Sequence, residues 1–220
     1  MKFFIKKIFI ISFFLTILFS TTKIYARDSN IKYEEKNISN YFLGIISANQ
    51  GYDKEAFKYL KKVQLLKNRH SQFNVEFIRT NVLLGKFDQA FTFSKNVWNR
   101  DELFFETDLL LGLNYFINKD FLNAEKHFKR LNKTSEHNIF FDNFFGNVML
   151  AWVKASEGDQ VSSFKFIEKI PDPYHHFKSM QNIFLQCYFD SSDTQKSIEK
   201  LIQNEDYNFS RYNFFLVNYL

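Results

Sequence analysis

Cysteine and proline are nearly missing from this chain, with one and two copies in 220 residues, and glycine occurs six times. The lone Cys187 excludes an internal disulfide, so stability rests on packing. Its neighbours Phe184, Leu185 and Tyr188 predict a place on an apolar helix face. Six scattered glycines leave no glycine-rich phosphate loop, and no serine or cysteine stands in a nucleophile elbow or beside a base. Metal ligands are equally short. His175 and His176 are adjacent, so their side chains diverge on a helix, and no third ligand is spaced to help. His70, His127 and His137 stand among Lys, Arg and Asn with no acid or nucleophile arranged around them. The expectation is a non-catalytic protein with no cofactor and no metal.

Acidic residues are absent before Arg27, where Lys2, Lys6, Lys7 and Lys23 carry four of the five net positive charges. The remainder is near neutral, with Lys58, Lys61 and Lys62 beside Asp53 and Glu55, so the basic balance does not indicate nucleic acid. Long apolar runs are missing too. Ile8 to Phe19 is twelve residues, interrupted only by Ser12 and Thr16, against the roughly 20 needed to span a bilayer. With the basic start before it and Ile24-Tyr25-Ala26 after it, residues 1–26 have the layout of a secretory signal peptide. Export to the periplasm is expected; the alternative is a membrane anchor left uncleaved at Ala26-Arg27. Phenylalanine, in contrast, is plentiful at thirty copies. With abundant Lys, Asn and Ile this is the compositional bias of an AT-rich genome, with Phe replacing Leu in cores, so 20% aromatic content is not read as a recognition surface.

What the chain does have is a repeat. Gly51-Tyr52-Asp53-Lys54-Glu55-Ala56-Phe57 returns as Gly85-Lys86-Phe87-Asp88-Gln89-Ala90-Phe91 and as Lys119-Asp120-Phe121-Leu122-Asn123-Ala124, with the alanines 34 residues apart each time. Gly158-Asp159-Gln160-Val161-Ser162-Ser163 continues the frame after a step of 39, with the extra residues assigned to 132–138. Ser192-Asp193-Thr194-Gln195-Lys196-Ser197 is placed as a fifth copy, another 34 on. A period of this size indicates stacked helical hairpins. The first helices hold Tyr41 to Ile46, Phe77 to Leu84 and Leu109 to Phe116. The second helices carry stripes Ala56-Phe57-Leu60-Val63, Ala90-Phe91-Ser94-Val97 and Ala124-Phe128-Leu131 at helical spacing. An Asp near the start of each second helix suits a cap or first-turn acid. Gly44 and Gly112, twelve before their alanines, predict close helix approach, because Gly inside a helix costs roughly 1 kcal/mol against Ala. One hairpin cannot bury both faces, so neighbours must stack.

Leu111-Gly112, Tyr115, Ala124, Phe128 and Leu131 are the residues by which the chain resembles the tetratricopeptide-repeat (TPR) superfamily, over about Asn37 to Asn204. Ile78 departs from it where a small residue is usual, Ser163 and Ser197 stand in place of the consensus alanine, and the closing proline is missing except for Pro171. The resemblance implies an all-α, right-handed superhelix, an α-solenoid of about five hairpins over 37–204, after a linker at 27–36. Residues 205–220 are expected to form a lone C-terminal helix of an incomplete sixth repeat. Its apolar residues within 209–220 leave three expectations: an odd cap packed back on the array, self-association with another subunit, or a longer array.

A solenoid offers extended surface, so the expected function is a protein–protein interaction scaffold of the bacterial cell envelope. A partner helix or peptide would lie on the concave face lined by first helices, touching Phe42, Ile45, Asn49, Glu76, Arg79, Leu113 and Trp152. The Lys-Asn-Arg cluster by which some family members clamp a C-terminal carboxylate is absent there; only Arg79 and Asn49 stand at suitable places. Alternatives are a membrane-anchored assembly factor and a non-catalytic accessory module of an envelope enzyme.

Overall fold

A computed structural model describes residues 34–68, 70–135 and 143–203. Chain contacts divide the protein into Met1–Ile38 and Ser39–Leu220. Of the first unit only residues 34–38 are described, entering the first helix; the second holds all else reported below. The expected signal peptide (1–26), the expected C-terminal helix (205–220) and His137 lie outside the described residues.

Ten α-helices pair into five hairpins, with no strand among the described residues. The first hairpin is α1 (Glu35–Asn49) with α2 (Asp53–Leu60), which a 3-10 segment, Lys61–Asn68, continues past a kink at Val63. The others are α3 (Ser71–Leu83) with α4 (Phe87–Val97), α5 (Phe105–Ile117) with α6 (Phe121–Ser135), α7 (Phe144–Ser156) with α8 (Gln160–Glu168), and α9 (His175–Tyr188) with α10 (Thr194–Gln203).

Every hairpin turns in the same way. A residue with positive φ closes the first helix: Gly51, Gly85, Lys119, Gly158 and Asp190. The N–H that follows it returns to the carbonyl five residues back: Tyr52 to Ser47, Lys86 to Asn81, Asp120 to Tyr115, Asp159 to Lys154 and Ser191 to Gln186, at 2.8–3.0 Å. This is the Schellman closure, which satisfies helix-end carbonyls and favours glycine at the left-handed position. Lys119 and Asp190 adopt it with side chains, at φ 60° and 49°. The turn acids serve in two ways. Asp120 and Asp159 accept from the N–H groups of Asn123 and Ser162, while Asp53 and Asp88 sit in their helices' first turns.

The fifth copy departs from its expected register. Its left-handed residue is Asp190, and the buried positions of α10 are Thr194 and Ile198, whereas Ser197 is only half-buried. Thr194 and Ile198, with Leu201 partly buried beyond them, repeat the spacing of Ser163, Ile167 and Ile170, so the last step is 31 residues. The shorter step has two parts: Gly158 to Asp190 is 32 residues, and Thr194 follows Asp190 by four where Ser163 follows Gly158 by five. The insertion before the fourth unit is partly helical, since α6 runs four residues beyond the length of α4.

The expected stripes form the core. Ala56, Leu60, Val63, Ala90, Ser94, Ala124, Phe128 and Leu131 are all buried. Where the sequence has Gly44 and Gly112, an added methyl would run into Leu60 and the Phe128 ring. The odd Ile78 is explained by its counterpart: Ser94 occupies the place of Leu60 and Phe128, so bulk has moved from one helix to the other. Each large cluster spans at least two hairpins. One joins Leu60 and Val63 to Phe73, Phe77 and Ala90; another joins Ala124, Phe128 and Leu131 to Leu150 and Val153. Val148, Ala151 and Ile167 meet Leu185 in a third. Cys187 is partly buried beside Ile183 and Ile198.

Candidate interaction surfaces

Two of the seven residues expected on the first-helix face, Arg79 and Trp152, bridge successive first helices, and Glu76 lies beside the first bridge. Arg79 on α3 reaches Glu106 on α5 through Nε at 3.1 Å and Nη2 at 2.7 Å, both to Oε1. Glu76, buried one turn earlier, accepts from Gln72 Nε2 at 2.9 Å and lies 3.7 Å from Arg79 Nη1. Burial and then the Glu76 charge raise the pKa of Tyr41 on α1 above its ordinary value. Its ring lies 4.7 Å from that of His70, whose Nδ1 caps α3 by accepting from the Phe73 N–H. Further along, Trp152 on α7 donates to Gln181 on α9 at 2.8 Å and meets Tyr188 edge-on at 5.8 Å. The other residues divide by exposure. Phe42 is 57% exposed beside the exposed Leu43 and Ile46, and Asn49 is also exposed. Ile45 and Leu113 are half-buried against the core.

Reasoning from sequence missed a buried charged cluster at the junction of the second and third hairpins. Asp108 on α5 is wholly buried and accepts from Trp98 Nε1 at 3.1 Å and Arg130 Nε at 3.0 Å, with His127 Nδ1 at 2.8 Å. His127 is therefore not without an acid, contrary to expectation. The partners are 10 to 22 residues from Asp108, on α4's end and on α6, and no local pattern marks them. Arg130 also donates to the carbonyls of Asn99, Arg100 and Glu102, pinning the connection between α4 and α5. The Trp98 indole lies under Lys126 Nζ at 4.8 Å and the Arg130 guanidinium at 5.2 Å, with His127 edge-on at 5.5 Å. All three guanidinium nitrogens of this arginine donate hydrogen bonds, which suits Arg as a buried anchor.

On either side of this plugged junction the equivalent place is open. A cleft of about 400 Å³ lies between α2 with its 3-10 extension and α4, walled by Lys61, Gln64 and Asn96 over Phe77 and Phe93. A second, of about 470 Å³, involves Lys129, Asn132 and Lys169 over Leu150 and Phe166. The two share register. Lys61, Gln64, Phe77, Phe93 and Asn96 recur at 34 as Lys95, Trp98, Leu111, His127 and Arg130. They recur once more as Lys129, Asn132, Leu150, Phe166 and Lys169, allowing for the 39-residue step. In the second cleft Asn132 Nδ2 donates to Asn147 Oδ1 at 3.1 Å, and Asn147 Nδ2 donates to the Asn143 carbonyl at 2.6 Å. Nearby, Lys154 on α7 joins Glu125 on α6 at 2.8 Å and Glu157 at 2.9 Å. Burial works against the Glu125 charge, but hydrogen bonds from Lys129 and Lys154 outweigh it and lower its pKa; bonds to Glu125 and Glu157 raise that of Lys154.

Among the described residues no group of three or more His, Cys, Asp or Glu is placed to hold a metal ion, and no helix is long and apolar enough to cross a membrane. His175 and His176 have ring centroids 3.8 Å apart, and His175 Nδ1 lies 3.0 Å from the Asp172 carbonyl.

No protein-family model matches the chain, and no curated protein matches it. Solved structures do. MamA from residue 41 to its end, from Desulfovibrio magneticus RS-1, aligns at 14% identity and TM-score 0.61, over 80% of this chain and 97% of its own. A further crystal structure of MamA protein aligns at 17% and 0.59 over the same shares, and MamA MSR-1 C2 at 14% and 0.57 over 76% and 97%. MamA is a TPR-repeat protein, and identities this low establish fold alone. The chain is similar to these proteins in architecture: its fold is the tetratricopeptide type of helical repeat.

Proposed function

We propose that this chain is a non-catalytic protein–protein interaction scaffold, exported to the bacterial envelope, that holds a peptide or partner helix along its first helices. The observation that carries this reading is the side-chain character of those helices. Phe42, Leu43 and Ile46 project from α1 into solvent without belonging to a core, while the Arg79–Glu106 and Trp152–Gln181 bridges set a fixed face beyond them. Exposed apolar residues flanked by oriented polar groups suit an amphipathic segment, whose apolar stripe covers the former and whose polar edge meets the latter. Extended repeat surfaces serve this purpose in other folds of the same kind.

Crosslinking the tagged protein in its native envelope, with identification by mass spectrometry, tests the reading. One or two stoichiometric envelope proteins are expected, and release of them by Phe42→Asp, Arg79→Glu or Trp152→Ala would place them on this face. Recovery of the chain only with itself would turn the proposal toward self-assembly. N-terminal sequencing of the exported protein tests localisation: a start at Arg27 indicates a cleaved signal, and a retained Met1 in the membrane fraction indicates an anchored assembly factor.

A further inference from the structure

The three matching hairpin junctions differ in one respect that the repeat itself explains. At the middle junction the seam between second helices is filled by an indole from within the chain, Trp98, held by Asp108 below and by Lys126 and Arg130 above. At the first junction the residue in that register is Gln64, and the seam stands open at about 400 Å³. Its floor is aromatic: Phe57 stacks on Phe77 at 6.0 Å and Phe77 meets Phe93 edge-on at 4.7 Å. Its rim is largely uncharged, with Gln64, Gln89, Thr92 and Asn96. Asn74 stands in the register of Asp108, and its buried Oδ1 has no hydrogen-bond partner. The third seam is walled by asparagines that already bond one another, and lacks the ring floor.

From this internal comparison we infer that the first-junction cleft is a docking site for one aromatic side chain presented by a partner protein. The occupant takes the place that Trp98 takes one repeat later. Three phenyl rings, Phe57 and Phe77 nearly parallel and Phe93 edge-on to Phe77, offer it a ring-stacking floor, where centroid separations of about 4.5–7 Å are favourable. The amide rim pairs with the backbone on either side of the entering residue, as small polar groups do around apolar pockets. The charges near the cleft are Lys61 and Lys86, whose Nζ atoms already lie 5.8 and 4.8 Å over Phe57, and Asp88. The cleft is formed mainly by second helices, so this inference does not rest on the first-helix face proposed above.

The test is a titration of the full chain with N-acetyl-tryptophanamide, N-acetyl-phenylalaninamide and N-acetyl-leucinamide, read by backbone amide shifts in NMR. The expected result is saturable shifts at Gln64, Gln89 and Thr92 with the aromatic probes, and weaker or none with the leucine probe. Q64W copies the plugged junction into the open one and should abolish these shifts while helicity is kept. If Q64W fails to fold, Thr92→Trp fills the cleft from the other wall and should do the same. Gln64→Ala, which widens the mouth, should retain them. No saturable shift by about 20 mM probe overturns the inference. So do shifts that survive a folded, filled variant, and so does a leucine probe that binds as well as the aromatic ones.

Discussion

The junction between the second and third hairpins is sealed by an indole and a buried carboxylate, whereas the junction between the first and second is sealed by neither. Both share the 34-residue register, with Gln64 in a 3-10 segment and Trp98 in extended backbone just past the end of α4. The difference lies in side chains at three positions: Trp98, Asp108 and Arg130 against Gln64, Asn74 and Asn96. A repeat fold thus separates two tasks. Small residues and turns at fixed positions set the hairpins, and the register residues at each seam decide whether it becomes core or cleft. Burying Asp108 demands donors all round, and the structure supplies them; Asn74 needs less, and one of its two polar atoms goes unpaired.

The largest expected effect breaks the sealed side. Asp108→Ala strands Arg130 and His127 around an empty acceptor site, and breaking a buried ion pair of this kind costs about 3–5 kcal/mol. Urea denaturation would measure it, and a loss below 1 kcal/mol would mean that solvent already reaches the cluster. Next comes Trp98→Gln, which converts the sealed seam to the open type. Loss of a half-buried indole should cost about 2–3 kcal/mol and leave a cleft like that at the first junction, visible by crystallography. Gly112→Ala tests the frame shared by both sides. Its methyl would meet the Phe128 ring at 2.7 Å from Cδ1, so about 1–3 kcal/mol should be lost, and the melting temperature should fall accordingly.

Smaller still is the relief of turn strain. Lys119→Gly should stabilise by roughly 0.5–1 kcal/mol, because the left-handed conformation is free for glycine and costs a side chain. The glycine's greater freedom when unfolded works against this gain, so a melting-temperature change near zero would show the two to be equal. The last effect is a pH dependence at the neighbouring seam. Glu125 has a folded pKa below its unfolded value, so its contribution is present above the unfolded pKa and lost as pH falls through the folded one. Lys154 has a raised folded pKa, so its contribution is present below the unfolded value and lost as pH rises through the folded one. Glu125→Gln should flatten both limbs of the stability–pH curve, and an unchanged curve would exclude the pair as a contributor.

How far the sequence was legible follows the distance over which each feature acts. The alanine frame, the stripes of the second helices and the role of Gly44 and Gly112 are local, and the structure has them as read. The fifth register was misplaced because Ser192-Asp193 imitates the turn pair, while the chain turns at Asp190, a residue with no glycine to advertise it. Arg79 and Trp152 were picked for the right helices, yet the groups they bond, Glu106 and Gln181, lie 27 and 29 residues away. The seam residues were invisible for the same reason: Trp98, His127 and Arg130 stand 10, 19 and 22 residues from the Asp108 they bond.

By itself, then, the sequence determined that this is a stack of helical hairpins, because a period of 34 and a small residue at each closest approach act within one hairpin and need no other partner to be recognised. Only the tertiary structure decided which seams are closed, which acid is buried and which cleft is left between the hairpins. Those outcomes depend on side chains brought together from different repeats, where burial sets the cost of an unpaired charge and volume sets whether a cleft is filled.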